Sequence, residues 1–203
     1  ASARSVARIF TLPAEGGQLA DLLTADRGLL LYPCWSPDGR QIAFIGQDFP
    51  EEGSVYHIYT MPAEGGSPRK LTSESDSVDE ADIAWSPDGK YLAYRSRDRK
   101  LRLLPLSGGS SQIVVEGLKG NWWAFGLTWS PDGKELAYAT NRRMWKVNLQ
   151  SRKSEEVQTG LDAVPTKMAW SPDGKTIAFS ARQGGEPELW LMEDFLPLRQ
   201  AGR

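Results

Sequence analysis

Six residues, Trp-Ser-Pro-Asp-Gly-Arg, begin at Trp35 and return as Trp-Ser-Pro-Asp-Gly-Lys at Trp85, Trp129 and Trp170. Self-similarity at intervals of 50, 44 and 41 residues in a chain of 203 leaves few architectures open. Each unit must be one supersecondary element that cannot bury its apolar faces alone and buries them on its neighbours. An interval near 40 residues is the length of four short strands and their turns, the unit of a β-propeller blade.

The segment after each copy points the same way. "QIAFIG" from Gln41, "YLAYRS" from Tyr91, "ELAYAT" from Glu135 and "TIAFSA" from Thr176 place Ile or Leu and then Phe or Tyr on one face, with Ala43, Ala93, Ala137 and Ala178 on the other. Such alternation has the period of a strand. Apolar residues on both faces suit a sheet covered on both sides, with alanine permitting close approach of the next sheet. The Ser-Pro-Asp-Gly letters themselves make a tight hairpin: proline presets φ, aspartate hydrogen-bonds the local backbone, and glycine accepts a positive φ where the turn ends. The motif tryptophan is expected to anchor a blade's first, innermost strand against its neighbour.

A second hairpin recurs as "LPAEGG" from Leu12, "MPAEGG" from Met61 and "LPLSGG" from Leu104, each after an alternating strand. This is the turn between third and fourth strands. The expected fold is therefore all-β, a propeller of four-stranded antiparallel blades with about five represented, the first and last incomplete. Its organisation is one domain over 1–203: an outer half-blade at 1–24, blades at 29–72, 79–115 and 121–158, a blade with no clear fourth strand at 164–195, and a tail at 196–203. Either five blades close imperfectly or these blades belong to a larger propeller. The absence of an inner strand pair before Leu29 favours the second, and an open edge of that kind invites a neighbouring subunit or an oligomer.

The repeated tryptophan, the Ser-Pro-Asp-Gly turn and the following Lys-x-Ile/Leu-Ala-Phe/Tyr strand resemble the WD-repeat-like propeller repeat of the TolB type, over nearly the whole chain. The resemblance implies the propeller fold. It leaves activity open, because the same repeat occurs in the periplasmic TolB protein, in tricorn-like proteases and in the propeller domains of prolyl-oligopeptidase-like peptidases. It also implies an extracytoplasmic location, although nothing in the residues excludes the cytoplasm.

Composition excludes some functions. A net charge of −2 carries no excess of basic residues for nucleic acid, and apolar runs such as Leu29–Tyr32 are far shorter than the roughly 20 residues of a spanning helix. A single cysteine, Cys34, excludes an internal disulfide and reads as a small buried hydrophobe. The lone histidine, His57, lies within an alternating strand and reads as structural. No Gly-x-Ser-x-Gly elbow and no phosphate-cradling glycine loop is present, so the expectation is a non-enzyme with no cofactor and no metal.

Loop asymmetry indicates where binding is expected. The first and third connections of every blade share one end and carry the uniform turns, whereas the second connections and the crossovers share the other end and carry the variation. There, Asp48, Glu51, Glu52, Glu74, Asp76, Asp79, Glu80 and Asp82 are expected in one acidic sector, a solvated surface or, less in keeping with their spacing, a calcium site. Arg95, Arg97, Arg99, Lys100, Arg142 and Arg143 are expected in a basic counter-sector. Trp122 and Trp123, with Phe125 nearby, either begin an inner strand or form an exposed aromatic contact, and Phe49 beside Pro50 has the same two readings. The position three before each motif tryptophan holds Tyr32, Asp82, Gly126 and Lys167, near the channel mouth. Their variety is that of a differentiated ligand rim or of drifting solvent-facing positions. The binding candidates are thus Tyr32, Phe49, Asp82, Trp122, Trp123 and Lys167. The expected role is a protein- or peptide-binding scaffold, with the propeller of a larger hydrolase or a carbohydrate-binding propeller as alternatives.

Overall fold

Alternating strands joined by turns that supply their own hydrogen bonds dictate antiparallel meanders. A computed structural model describes residues 6–26, 28–48, 55–76, 78–119, 126–161 and 163–182, and these form antiparallel sheets with no α-helix among them. A pair, β1 (Ala7–Thr11) and β2 (Ala20–Ala25), comes first. Blade one is β3 (Leu30–Trp35), β4 (Gln41–Asp48), β5 (Val55–Pro62) and the short β6 (Arg69–Lys70). Blade two is β7 (Val78–Trp85), β8 (Tyr91–Ser96), β9 (Lys100–Pro105) and β10 (Gln112–Val115). Blade three is β11 (Leu127–Trp129), β12 (Glu135–Thr140), β13 (Arg143–Asn148) and β14 (Ser154–Val157). A last hairpin, β15 (Val164–Trp170) and β16 (Ile177–Arg182), follows. Within each group successive strands pair antiparallel, and one bridge, Tyr56 to Val78, links blades one and two. The first strands neighbour one another in turn, β3 with β7, β7 with β11 and β11 with β15, as a ring of blades about an axis requires.

The Ser-Pro-Asp-Gly turn closes identically four times. The Ser36 hydroxyl donates to Asp38 at 2.6 Å and accepts from the Gln41 N–H at 2.9 Å, while the Arg40 N–H donates to the same aspartate oxygen at 3.1 Å. Ser86, Ser130 and Ser171 repeat the arrangement with Asp88, Asp132 and Asp173. Gly39, at a φ of 69°, occupies the left-handed position that ends the turn.

The core lies between blades, and the strand alternation built it. On β4, Ile42 and Phe44 pack with Ile9 and Met61 toward the β1–β2 pair, while Ala43 and Ile45 face blade two with Ile58, Val78, Leu92 and Tyr94. On β8, Ala93 faces the other way, joining Leu101, Leu127, Trp129, Leu136 and Tyr138 between blades two and three. Ala43, Ala93 and Ala137 are wholly buried, as the pattern predicts. Ala178 is exposed instead, because no further blade covers β16 among the described residues.

The tryptophans divide in the same way. Trp129 is buried and its indole N–H donates to the Ala84 carbonyl at 3.0 Å, so it ties blade three to blade two as expected. Trp35 departs from expectation at 53% exposed, since the pair before it offers no first strand to pack against. The rest of the last expected blade, from 183 to 195, and the tail at 196–203 lie outside the described residues.

Candidate functional site

The first strands do not run straight. Their register slips between Leu31 and Cys34 in β3, between Val78 and Ile83 in β7, and between Pro165 and Met168 in β15. A bulge bends its strand and re-aims a side chain. In β3 the slip places Tyr32 at a φ of 53°, a conformation that costs a non-glycine residue about 1–2 kcal/mol. Each slip encloses the position three before the motif tryptophan, so Tyr32, Asp82 and Lys167 are turned out of the ordinary pleat by the same local device.

These three side chains, separated by up to 135 residues in sequence, meet. The Lys167 ammonium lies 4.3 Å from the centroid of the Tyr32 ring and forms an ion pair with Asp82. Lys167 comes from the last hairpin and Asp82 from blade two, so the pair spans the blade between them. That blade contributes Gly126, and a Cβ there would sit 1.6 Å from the Thr166 carbonyl oxygen. Glycine is what allows β15 to close on blade three, and it leaves no side chain in the lysine's path. Asp82 is 14% exposed at its side chain whereas Lys167 is 63% exposed. Burial raises the Asp82 carboxyl above its ordinary value, with Lys167 opposing the rise. Burial also raises the Tyr32 phenol, with Asp82, Glu80 and Asp79 adding to the shift.

Around this cluster the acidic residues are individually engaged. Asp79 and the Arg95 guanidinium lie 3.4 Å apart, both largely buried. Glu80 accepts the Tyr56 hydroxyl at 2.9 Å, and Arg97 covers the Tyr56 ring at 5.4 Å from its centroid. Burial, then the Glu80 bond, pushes the Tyr56 phenol up to about 12. Asp76 accepts from the Ser73 backbone N–H at 2.7 Å and from Ser111 at 3.1 Å, and Glu74 reaches His57 at 3.3 Å. Glu51 and Glu52 of the expected acidic sector lie outside the described residues, and among the described members the expected separation of acidic from basic residues is corrected. Arg95 and Arg97 interleave with the acids, because β7 and β8 are paired strands and their side chains share the variable end. Among the described residues no group of three or more His, Cys, Asp or Glu is arranged to hold a metal ion.

His57 is fully buried, with Nδ1 3.3 Å from the Thr72 hydroxyl and its ring edge-on to Tyr59. Cys34 is half-buried, and burial pushes its thiol up to about 12, with Asp82 adding to the rise and the Trp85 indole N–H opposing it. A thiol held so far above neutrality stays protonated and is a poor nucleophile.

Of the six binding candidates, Tyr32, Asp82 and Lys167 are brought together, while Phe49, Trp122 and Trp123 lie outside the described residues. Sequence reasoning missed Tyr56 as a member of this neighbourhood, and it missed a groove of about 320 Å³ between blades two and three, lined by Val115, Lys119, Tyr138, Arg143 and Trp145. Both tyrosines and Trp145 occupy alternating strands, where an aromatic that lines a groove carries the same letter as one that fills the core.

Comparison with known proteins agrees with this architecture. Residues 67–103 match the family model described as WD domain, G-beta repeat. A 60-residue stretch is 42% identical to the peptidase YuxL of Bacillus subtilis (strain 168), whose function is uncharacterised; it covers 30% of this chain and 8% of that protein. Among solved structures, a protein described as "putative TolB" from Agrobacterium tumefaciens superposes with a TM-score of 0.56 at 18% identity, over 84% of this chain and 76% of that one. An oligogalacturonate lyase in complex with manganese superposes with a TM-score of 0.62 at 17% identity, over 85% of this chain and 50% of that one. At such identities the likeness is one of fold. Repeat, blade pairing and shared fold together make this chain a β-propeller, similar in fold to TolB and carrying one stretch that matches the WD-repeat model.

Proposed function

We propose that the chain is a non-catalytic binding module that takes a protein or peptide segment at the mouth of the propeller axis, on the end that carries the variable connections. One observation carries this reading. The position three before the tryptophan, which holds Tyr, Asp, Gly and Lys in the four repeats, is where bulged strands from separate blades bring Tyr32, Asp82 and Lys167 into one cluster. A rigid scaffold presenting dissimilar side chains at equivalent positions is how repeat proteins build asymmetric recognition. An extracytoplasmic location belongs to the same proposal, and no helix among the described residues is long and apolar enough to cross a membrane.

Selection of displayed random peptides against the wild-type chain and a Tyr32→Ser, Asp82→Asn, Lys167→Ala triple variant tests it. Peptides that bind the wild type and lose at least tenfold in affinity for the triple variant support the reading. Enriched peptides that bind both alike place recognition elsewhere and overturn it.

A second reading has its own support in the stretch shared with a peptidase: the chain is the propeller part of a larger hydrolase whose chemistry lies on another segment. Intact mass and peptide mapping of the protein from its native source decide between them. Peptides from a contiguous hydrolase domain favour the second reading; a mass close to 22.5 kDa favours the first.

A further inference from the structure

The cluster at the axis has a definite chemistry. An ammonium group lies against the face of an aromatic ring and is paired with a carboxylate that is 14% exposed, the two interactions that most favour a desolvated organic cation. The cation present is the chain's own, on the lysine of the last hairpin, and that lysine is 63% exposed. The cage is formed by other elements, Tyr32 on β3 and Asp82 on β7. Glu80 adds negative charge within range of the ring and is itself bound by a neutral phenol, whereas Asp79 is matched by Arg95.

From this we propose that Tyr32 and Asp82 form a receptor for a ligand ammonium, the side chain of a lysine in a bound peptide, and that Lys167 occupies the receptor in cis as an internal competitor. The inference rests on the peptide-binding reading above and names the residue type read at that site. Asp82 explains why the exchange is one cation for another. Withdrawing Lys167 without a replacement leaves a largely buried carboxylate unpaired, which is costly, so the receptor empties only when an incoming cation takes the lysine's place. Tethering sets the competitor's effective concentration near the millimolar range for a short link, so the wild-type site binds an external lysine weakly and removal of the competitor strengthens it. The exposed stem of Lys167 gives the displaced ammonium a route into water.

The test uses three end-blocked pentapeptides, Ala-Gly-Lys-Gly-Ala, the same peptide acetylated at the lysine Nζ, and Ala-Gly-Glu-Gly-Ala, titrated into the whole chain and followed by NMR. Lys167→Ala and the stem-preserving Lys167→Met are expected to bind the lysine peptide at least tenfold more tightly than wild type. Acetylation is expected to abolish the gain, as is Asp82→Asn in the Lys167→Met background. A lysine peptide bound no better by either Lys167 variant overturns the proposal, and so does a preference for the glutamate peptide that disappears with Lys167. The two levels separate cleanly. Display-selected peptides that need Tyr32 yet contain no required cation overturn the cation receptor while leaving the peptide-binding site standing. Failure of the display selection removes the site itself.

Discussion

The junctions at which blade one and blade three place their motif tryptophans differ sharply. At the junction of blades two and three, Trp129 is 7% exposed, donates to the Ala84 carbonyl and sits in the same cluster as Leu101, Leu127 and Leu136. At the junction of blade one with the β1–β2 pair, Trp35 is 53% exposed and the buried cluster shrinks to Ile9, Ile42, Phe44 and Met61. The turn that follows each tryptophan is the same to within 0.1 Å in its Ser–Asp hydrogen bond. The difference therefore arises from the partner surface. A tryptophan at this position becomes an anchor when the preceding blade presents a first strand, with a carbonyl to accept the indole N–H and apolar surface to cover the ring. Trp85 and Trp170 are intermediate: the indole N–H of Trp85 approaches the Cys34 thiol, and that of Trp170 donates to Gly174 within its own turn at 3.0 Å.

The sharpest way to break this comparison is to remove both rings. Trp129→Ala is expected to destabilise the chain by about 3–5 kcal/mol, the usual cost of deleting a buried aromatic. Trp35→Ala is expected to fall within about 0.5 kcal/mol of wild type, as exposed positions do. Chemical denaturation measures both, and equal losses would refute the partner-surface account. A smaller effect is expected at Gly126→Ala, about 1–3 kcal/mol, because the new methyl group meets backbone that must shift. Hydrogen exchange should show the loss concentrated in β15 and β16 while blades one and two keep their protection.

The turns supply the matched control. Ser36→Ala and Ser130→Ala each remove one hydroxyl that bridges an aspartate and a backbone N–H, and each is expected to cost about 1 kcal/mol despite the contrast between their neighbouring tryptophans. Unequal losses would mean that the hairpins share in the asymmetry. The pH response follows from the same groups. Hydrogen bonds from Ser36, Ser86, Ser130 and Ser171 hold the carboxyls of Asp38, Asp88, Asp132 and Asp173 below their ordinary value. A carboxyl depressed in the folded state contributes stability that is fully present above its unfolded value of about 4 and is lost as pH falls through the lower folded value. Melting temperature should thus be insensitive to these groups at neutral pH and fall in acid, with a shallower acid slope in Ser130→Ala.

Much of the fold was legible because its determinants are local. Pro37, Asp38 and Gly39 specify a turn through φ preferences and hydrogen bonds within a few residues, and the Ile-Ala-Phe-Ile run from Ile42 assigns each side chain to a face through the period of a strand. The position three before each tryptophan was also legible as a place of variation. Its content was not: Lys167 and Asp82 are 85 residues apart, and the acidic and basic letters on β7 and β8 gave no sign that Arg95 and Asp79 would interleave.

The sequence by itself determined the repeating unit, its turns and the alternation that buries Ala43 and Ala93, since each follows from interactions within a strand or hairpin. Only the tertiary structure decided which of four identical tryptophan letters is an anchor, and that one blade's lysine rests on another blade's tyrosine and aspartate. Those outcomes depend on which surface lies opposite. That is settled when blades assemble around the axis, with Gly126 allowing the last hairpin to approach, and no pattern within a single repeat encodes it.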